Sequence, residues 1–249
     1  GGPSSGTVVY SQQEGGLPPY GGNGEGFRIV YSTATHQEIY DYVIKGFNTA
    51  WKYRFPVFIL GDGYQAKMRE PLEMYNPEDR GIEMVPTYPL LGLGGKIGQD
   101  REPAHLCNIY SLEEELNEVV LKFAAEYEAI SPELVEYEER MCEDADIIIL
   151  SHGVVSRAAD DAVKELRAQG IKAGYFRPIT LRPFPEKQLR EVIRKSGASK
   201  LLVAESAYGQ LYRLTRQEIY GETIDMETLF MPAVGIIDFD IIQKVKSIL

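Results

Sequence analysis

The residues of this sequence that could do chemistry sit in short stretches marked by glycine and proline. The chain opens Gly1-Gly2-Pro3-Ser4-Ser5-Gly6. Glycine there lets backbone approach a ligand closely, and the hydroxyls and amides of Ser4 and Ser5 offer neutral hydrogen bonds. A structural turn is the competing reading, since loops carry function but also simply reverse the chain. Gly92-Leu93-Gly94-Gly95-Lys96-Ile97-Gly98 superficially resembles a nucleotide loop. It lacks Rossmann or Walker spacing and no strand precedes it, so a linker turn is the better reading. His36, His105 and His152 are scattered, with no HxxxH or HExxH spacing, so no metal site is expected. His152 follows a strand's C-terminal end, where open α/β sheets commonly bind ligands. Glu205 ends another strand, where its carboxylate could accept hydrogen bonds across an interface or, as we favour, interact with a helix N-terminus. Arg177 and Arg182, flanked by prolines, could each anchor an interface carboxylate bidentately or merely pair on the surface.

These residues need elements to position them. The 249 residues are enough for two ordinary α/β domains, and the composition, 44% hydrophobic and 25% charged, is that of a globular protein. The net charge of −11 without a clustered basic face argues against nucleic acid and anionic membrane as partners. The two cysteines, Cys107 and Cys142, are too few and too far apart for a disulfide framework, a zinc site or an iron–sulfur cluster, and they suit a reducing cytoplasm. The first residue is glycine and no signal-peptide pattern follows, so the sequence reads as internal to a longer polypeptide.

Residues 1–26 read as a long loop. Residues 28–32 form a predicted strand, and Thr35-His36-Gln37-Glu38 a capping box opening a helix to about Tyr53. Ile39, Val43, Phe47 and Trp51, with Ile44 and Ala50, predict one buried stripe on that helix. Pro56 to Leu60 predicts a buried parallel strand ending at Gly61-Asp62-Gly63. Residues 68–107 read as an extended linker. Ser111-Leu112-Glu113-Glu114 predicts a second capping box before a helix carrying Leu116, Val119, Val120, Phe123 and Tyr127, with a further helix around 132–141. Beyond it strands and helices alternate. Residues 147–150, 171–176 and 201–204 are strands; 155–169 (closed by Gly170), 185–193 and 210–220 are helices. Repeated βα units imply a parallel sheet covered by helices.

Several segments, in order, resemble the α subunits of 2-oxoacid:ferredoxin oxidoreductases. The opening hexapeptide is similar to their GGPSTG loop, and Glu25-Gly26 lies where their HGE or HGD falls. Lys52-Tyr53-Arg54-Phe55-Pro56-Val57 resembles KYR-x-PV, and Gly61-Asp62-Gly63-Tyr64 resembles (S/A)DGY. Asp144-Ala145-Asp146 with Ser151-His152-Gly153 resembles DAD…(S/Y)G. Arg177 to Pro185 resembles LR-x-IT-x-x-PFP, and Glu205 to Gln210 matches E-x-N-x-GQ except at Ala207. The collinearity spans nearly the whole chain. It departs at Val8 to Glu14, where the family often has TK(T)EQ-D or PSQ-D.

The resemblance implies an α/β chain of two parts. A remnant of a thiamine diphosphate pyrimidine-type domain would occupy 1–75, a linker and helical region 76–142, and a transketolase C-terminal-like domain with a mostly parallel sheet 143–249. It implies oxidative decarboxylation of a 2-oxoacid to an acyl-CoA with electrons passed to ferredoxin. The cofactor would perform the carbanion chemistry. Thiamine diphosphate and magnesium would be shared with a β subunit, coenzyme A would be a substrate, and iron–sulfur clusters would lie on partner subunits, including γ and δ subunits. The pyrimidine-gripping glutamate, a YPITP segment and a substrate-binding arginine would belong upstream of Gly1, so no catalytic residue is assigned within the chain. Gly1, Gly2, Pro3, Ser4, Ser5 and Gly6 become a loop near substrate and cofactor, and Arg177, Arg182, Glu205 and Gln210 candidate interface residues. A transketolase or dehydrogenase E1-type fragment and a non-catalytic α/β assembly module are the rival readings.

Overall fold

A computed structural model describes residues 12–22, 25–87 and 109–249. Two sheets organise them. In the first, strands β1 (Ile29–Ser32) and β2 (Val57–Leu60) are parallel, joined by helix α2 (His36–Tyr53), which follows a short helix α1 (Leu17–Tyr20). A short helix α3 (Gly63–Lys67) opens on a complete capping box between Asp62 and Gln65. Residues 68–87 run extended apart from a 3-10 turn at Pro77–Arg80. The Gly92–Gly98 stretch, His105 and Cys107 fall outside the described residues, as does the opening loop Gly1–Gly6.

Helix α4 (Glu113–Leu134) leads to strand β3 (Tyr137–Arg140). Two expectations are corrected here. The N-cap of α4 is Leu112, with no side-chain cap, in place of the Ser111 box. The helix expected around 132–141 is replaced by the end of α4, with Pro132 inside it, and by β3, which pairs antiparallel with a later strand through its backbone.

The second sheet has the order β3-β5-β4-β7-β8. It is built from β4 (Ile147–Leu150), α5 (Val155–Ala168), β5 (Ala173–Pro178), α6 (Glu186–Ser196), β7 (Lys200–Glu205), α7 (Gln210–Glu218), β8 (Asp225–Phe230) and α8 (Asp238–Ile248). All pairs are parallel except β3 with β5. The alternation of β4 sorts its neighbours. Ile148 and Leu150 pack with Leu189, Val192 and Leu211 of α6 and α7, whereas Ile147 and Ile149 pack with Val155, Ala159 and Ile241 of α5 and α8. The crossovers therefore reverse between β4 and β7, which makes that gap the topological switch point.

One strand ties the sheets together. β5 ends at Pro178, and after Ile179 the chain enters β6 (Thr180–Arg182), which pairs antiparallel with β1 in the first sheet. The Ser32 amide donates to the Ile179 carbonyl at 2.7 Å. β1 consequently lies between β2 and β6 and is buried throughout. Val30 joins the α6–α7 core, while Ile29 and Tyr31 face Phe55, Tyr127 and Leu134.

The apolar stripe expected to be buried on α2 is not what packs. Val43 is 40% exposed and Phe47 62%. The face turned to the sheet carries Gly46 and Thr49, with Tyr42 and Tyr53 beside them. Gly46 favours that face: a Cβ there would lie 3.3 Å from both Val57 Cγ1 and Ile59 Cδ1, tighter than ordinary contact, so a larger residue would have to push those side chains aside. β2 is likewise half-buried, because it stands at the sheet edge among the described strands.

Candidate functional site

The residues singled out in the sequence converge where the two sheets meet. Arg177, on β5, has a side chain only 4% exposed and grips Glu38 of α2 bidentately: Nη1 donates to Oε1 at 2.9 Å and Nη2 to Oε2 at 2.5 Å. Nη2 also donates to the Ser32 carbonyl at 3.2 Å. Burial works to lower the guanidinium pKa, but the hydrogen bonds and charge of Glu38, with Tyr175 and Glu138, outweigh it and leave the pKa raised. The sequence predicts Glu38 as one half of a capping box with Thr35. Thr35 Oγ1 does accept the Glu38 amide at 3.1 Å, but the Glu38 carboxylate takes Arg177 and the Ala34 amide instead.

Glu205 is fully buried at the end of β7. Its carboxylate accepts the amides of Gln210, Leu211 and Tyr212 at 2.9, 2.9 and 3.0 Å, which satisfies three orphan donors of α7. Burial raises its pKa while these three bonds pull it down. Gly209, at φ +83°, turns the chain into that helix. Arg182 donates to the Pro19 carbonyl and stacks over Tyr20, Tyr127 and Phe27, with centroids at 4.8, 5.8 and 6.0 Å. Gln210 donates to the Gln13 carbonyl at 2.5 Å and accepts the Gly16 amide at 2.7 Å. The four candidate interface residues thus meet partners within this chain.

His152 leaves the C-terminal end of β4. It is 4% exposed, its Nδ1 lies 2.8 Å from Ser32 Oγ at the end of β1, and burial, with the nearby Arg177 charge, pushes its pKa down to about 4. The ring is therefore neutral at ordinary pH. Its Nε2 is buried without a hydrogen-bond partner among the described residues. A cavity of about 20 Å³ beside it is lined by Gln12, Ser32, Thr33, Asp62 and Gly153. The residue that sequence reasoning passed over is Gln12. It has no local pattern to announce it, because its partners are 140 and 194 positions away. Cys142 is buried, donates to the Tyr175 carbonyl at 3.2 Å, and has its thiol pKa pushed up to about 11 by burial.

No group of three His, Cys, Asp or Glu among the described residues could hold an ion. A groove of about 530 Å³ between α3, α5 and the start of α8 carries Asp62, Asp161 and Asp238, and its Arg157 is already paired with Glu70. A second, of about 570 Å³, carries Glu128, Glu186 and Glu218 around Arg182 and Lys187. Acid-lined walls of this kind disfavour phosphate groups.

Comparison with known proteins agrees with this architecture. The model of the family "Pyruvate:ferredoxin oxidoreductase core domain II" matches residues 145–235, and that of "Pyruvate flavodoxin/ferredoxin oxidoreductase, thiamine diP-bdg" matches residues 25–90. The structure of a 2-oxoglutarate:ferredoxin oxidoreductase from Magnetococcus marinus, with 2-oxoglutarate, coenzyme A and succinyl-CoA bound, superposes with a TM-score of 0.81 at 21% identity. It covers 99% of this chain and 47% of that one, and shows the same fold. Fold and domain matches together define an α/β chain of the thiamine-dependent oxidoreductase class. The ketoisovalerate oxidoreductase subunit VorB of Methanothermobacter marburgensis is 33% identical over 99% of this chain and 68% of its own length. The 2-oxoglutarate synthase subunit KorA of Methanocaldococcus jannaschii is 28% identical over 85% and 62%. The chain belongs to the 2-oxoacid:ferredoxin oxidoreductase subunit family, and it spans about two thirds of the length of these relatives.

Proposed function

We propose that this chain is an α-type subunit, or part of one, of a complex that oxidatively decarboxylates a 2-oxoacid to an acyl-CoA and passes the electrons to ferredoxin. The observation that carries the reading is the 33% identity with a ketoisovalerate oxidoreductase subunit over 99% of the chain. Thiamine diphosphate, when bound, supplies the carbanion chemistry. In this reading cofactor and magnesium are held together with a β subunit, and iron–sulfur clusters lie on further γ- and δ-type subunits. We assign residues 1–75 to the pyrimidine-type part, 76–142 to the connecting region and 143–249 to the transketolase C-terminal-like part. The described residues supply the frame: Arg177 and Glu38 join the halves, and Arg182, Glu205 and Gln210 fix the segments beside them.

The apolar surface supports a complex. Val43 and Phe47 on α2 are exposed, and so are Leu112, Leu116 and Phe123 on the first turns of α4, in a pattern that marks contact with other protein. No helix among the described residues is long and apolar enough to cross a membrane, and we place the complex in the cytoplasm. The test is anaerobic reconstitution with partner subunits, thiamine diphosphate and magnesium, followed by viologen reduction with a panel of 2-oxoacids and coenzyme A. Reduction that requires both this chain and thiamine diphosphate is expected. Full activity without this chain contradicts the proposal.

A further inference from the structure

Open α/β sheets offer their ligand crevice at the switch point, outside the carboxyl ends of the strands. Here that crevice lies between Ser151-His152-Gly153 after β4 and Ser206 after β7, and a residue of the chain itself fills it. Gln12 is 5% exposed. Its amide donates to the Ser206 carbonyl at 3.0 Å, its Oε1 accepts the Ser206 amide at 2.9 Å, and its Nε2 donates to the His152 carbonyl at 2.5 Å. One side chain thus bridges the two loops that flank the crevice. Gly153 makes room for it. At φ +56°, a Cβ there would stand 3.0 Å from Gln12 Nε2.

The next residues are held by a second glutamine. Gln210 Nε2 donates to the Gln13 carbonyl, and its Oε1 accepts the Gly16 amide. Gly15 and Gly16 pack against that side chain, where a Cβ on either would stand at ordinary contact distance, 3.5 and 3.4 Å. Gln210 is itself anchored, because its amide is one of the three donors capping Glu205.

From this geometry we propose that the switch-point crevice of the second sheet is a receptor for the chain's own segment Gln12–Gly16, with Gln12 and Gln210 as positioning residues. The clamp fixes the chain at Gln12–Gly16 against both loops of the crevice. It occupies the place where related topologies take a small ligand. Its consequence for turnover rests on the functional reading above, whereas the clamp itself does not.

The test uses the assembled complex and compares Gln12→Ala and Gln210→Ala with the unaltered protein by amide hydrogen exchange and steady-state kinetics. Exchange at the Gly16 amide in Gln210→Ala, and at the Ser206 amide in Gln12→Ala, is expected to rise about tenfold or more while β4 amides stay protected. kcat/KM for the 2-oxoacid is expected to fall about fivefold or more with the melting temperature little changed. Gln210→Glu keeps the acceptor for Gly16 but loses the donor to Gln13, so it should restore part of the Gly16 protection. Unchanged exchange at both amides overturns the clamp, and faster exchange with unaltered kinetic constants overturns the positioning role. A complex inert before any substitution overturns the functional reading instead, and the exchange data then decide the clamp by themselves.

Discussion

Two side chains at the junction give the account its sharpest residue-scale consequences. Removing one partner of a buried ion pair leaves the other charge uncompensated, at a cost of about 3–5 kcal/mol. The Glu38 carboxylate is 24% exposed, so the low end applies. Glu38→Ala should therefore destabilise the protein by about 3 kcal/mol, read as a lower urea midpoint at unchanged slope. His152 makes a pH prediction. Its folded pKa of about 4 lies below its ordinary 6.5, so between these values the unfolded chain binds the proton and the folded one does not. Its contribution is fully present above pH 6.5 and is lost as pH falls toward 4. Asp62, Glu205 and Glu218 have raised pKa values and slope the other way, so the comparison must be differential. Stability of His152→Gln should change less than that of the unaltered protein between pH 6.5 and 4, by roughly 1–3 kcal/mol in urea melts. Parallel slopes would contradict the buried neutral histidine.

At the scale of elements, the sequence made the βα alternation of residues 147–218 legible because parallel strands buried on both faces are unbroken apolar runs. It concealed the rest for physical reasons. β3 and β8 are edge strands among those described, and their Glu138, Glu139, Asp225 and Glu227 interrupt any apolar pattern. β6 has three residues, too few to show a period, and its partner β1 lies about 150 positions earlier. The α2 stripe misled because apolar periodicity shows which face avoids water, not which neighbour covers it. Gly46 was the better guide. Gly46→Val should drive helix and edge strand apart and cost about 1–3 kcal/mol in thermal or urea unfolding. At the site, Arg177, Arg182, Glu205 and Gln210 were visible as motif residues, whereas Gln12 acquires its role only when the chain folds back on itself.

At the scale of the molecule, β6 and a latch of buried polar contacts join the two sheets among the described residues, while apolar side chains on α2 and α4 face outward. An exposed stripe of this kind fits the contact with other subunits proposed above. Phe47→Glu should change the stability of the isolated chain by no more than about 0.5 kcal/mol, yet reduce recovery of partner subunits in affinity isolation. Destabilisation of the isolated chain would show that the stripe packs internally. The most direct test of the central claim is anaerobic affinity isolation of this chain from its native lysate, with the eluate's iron–sulfur absorbance followed as 2-oxoacids and coenzyme A are added. Bleaching that depends on thiamine diphosphate is the predicted result and would name the substrate. A chain recovered with no iron–sulfur partner, and inert to every 2-oxoacid, would contradict it.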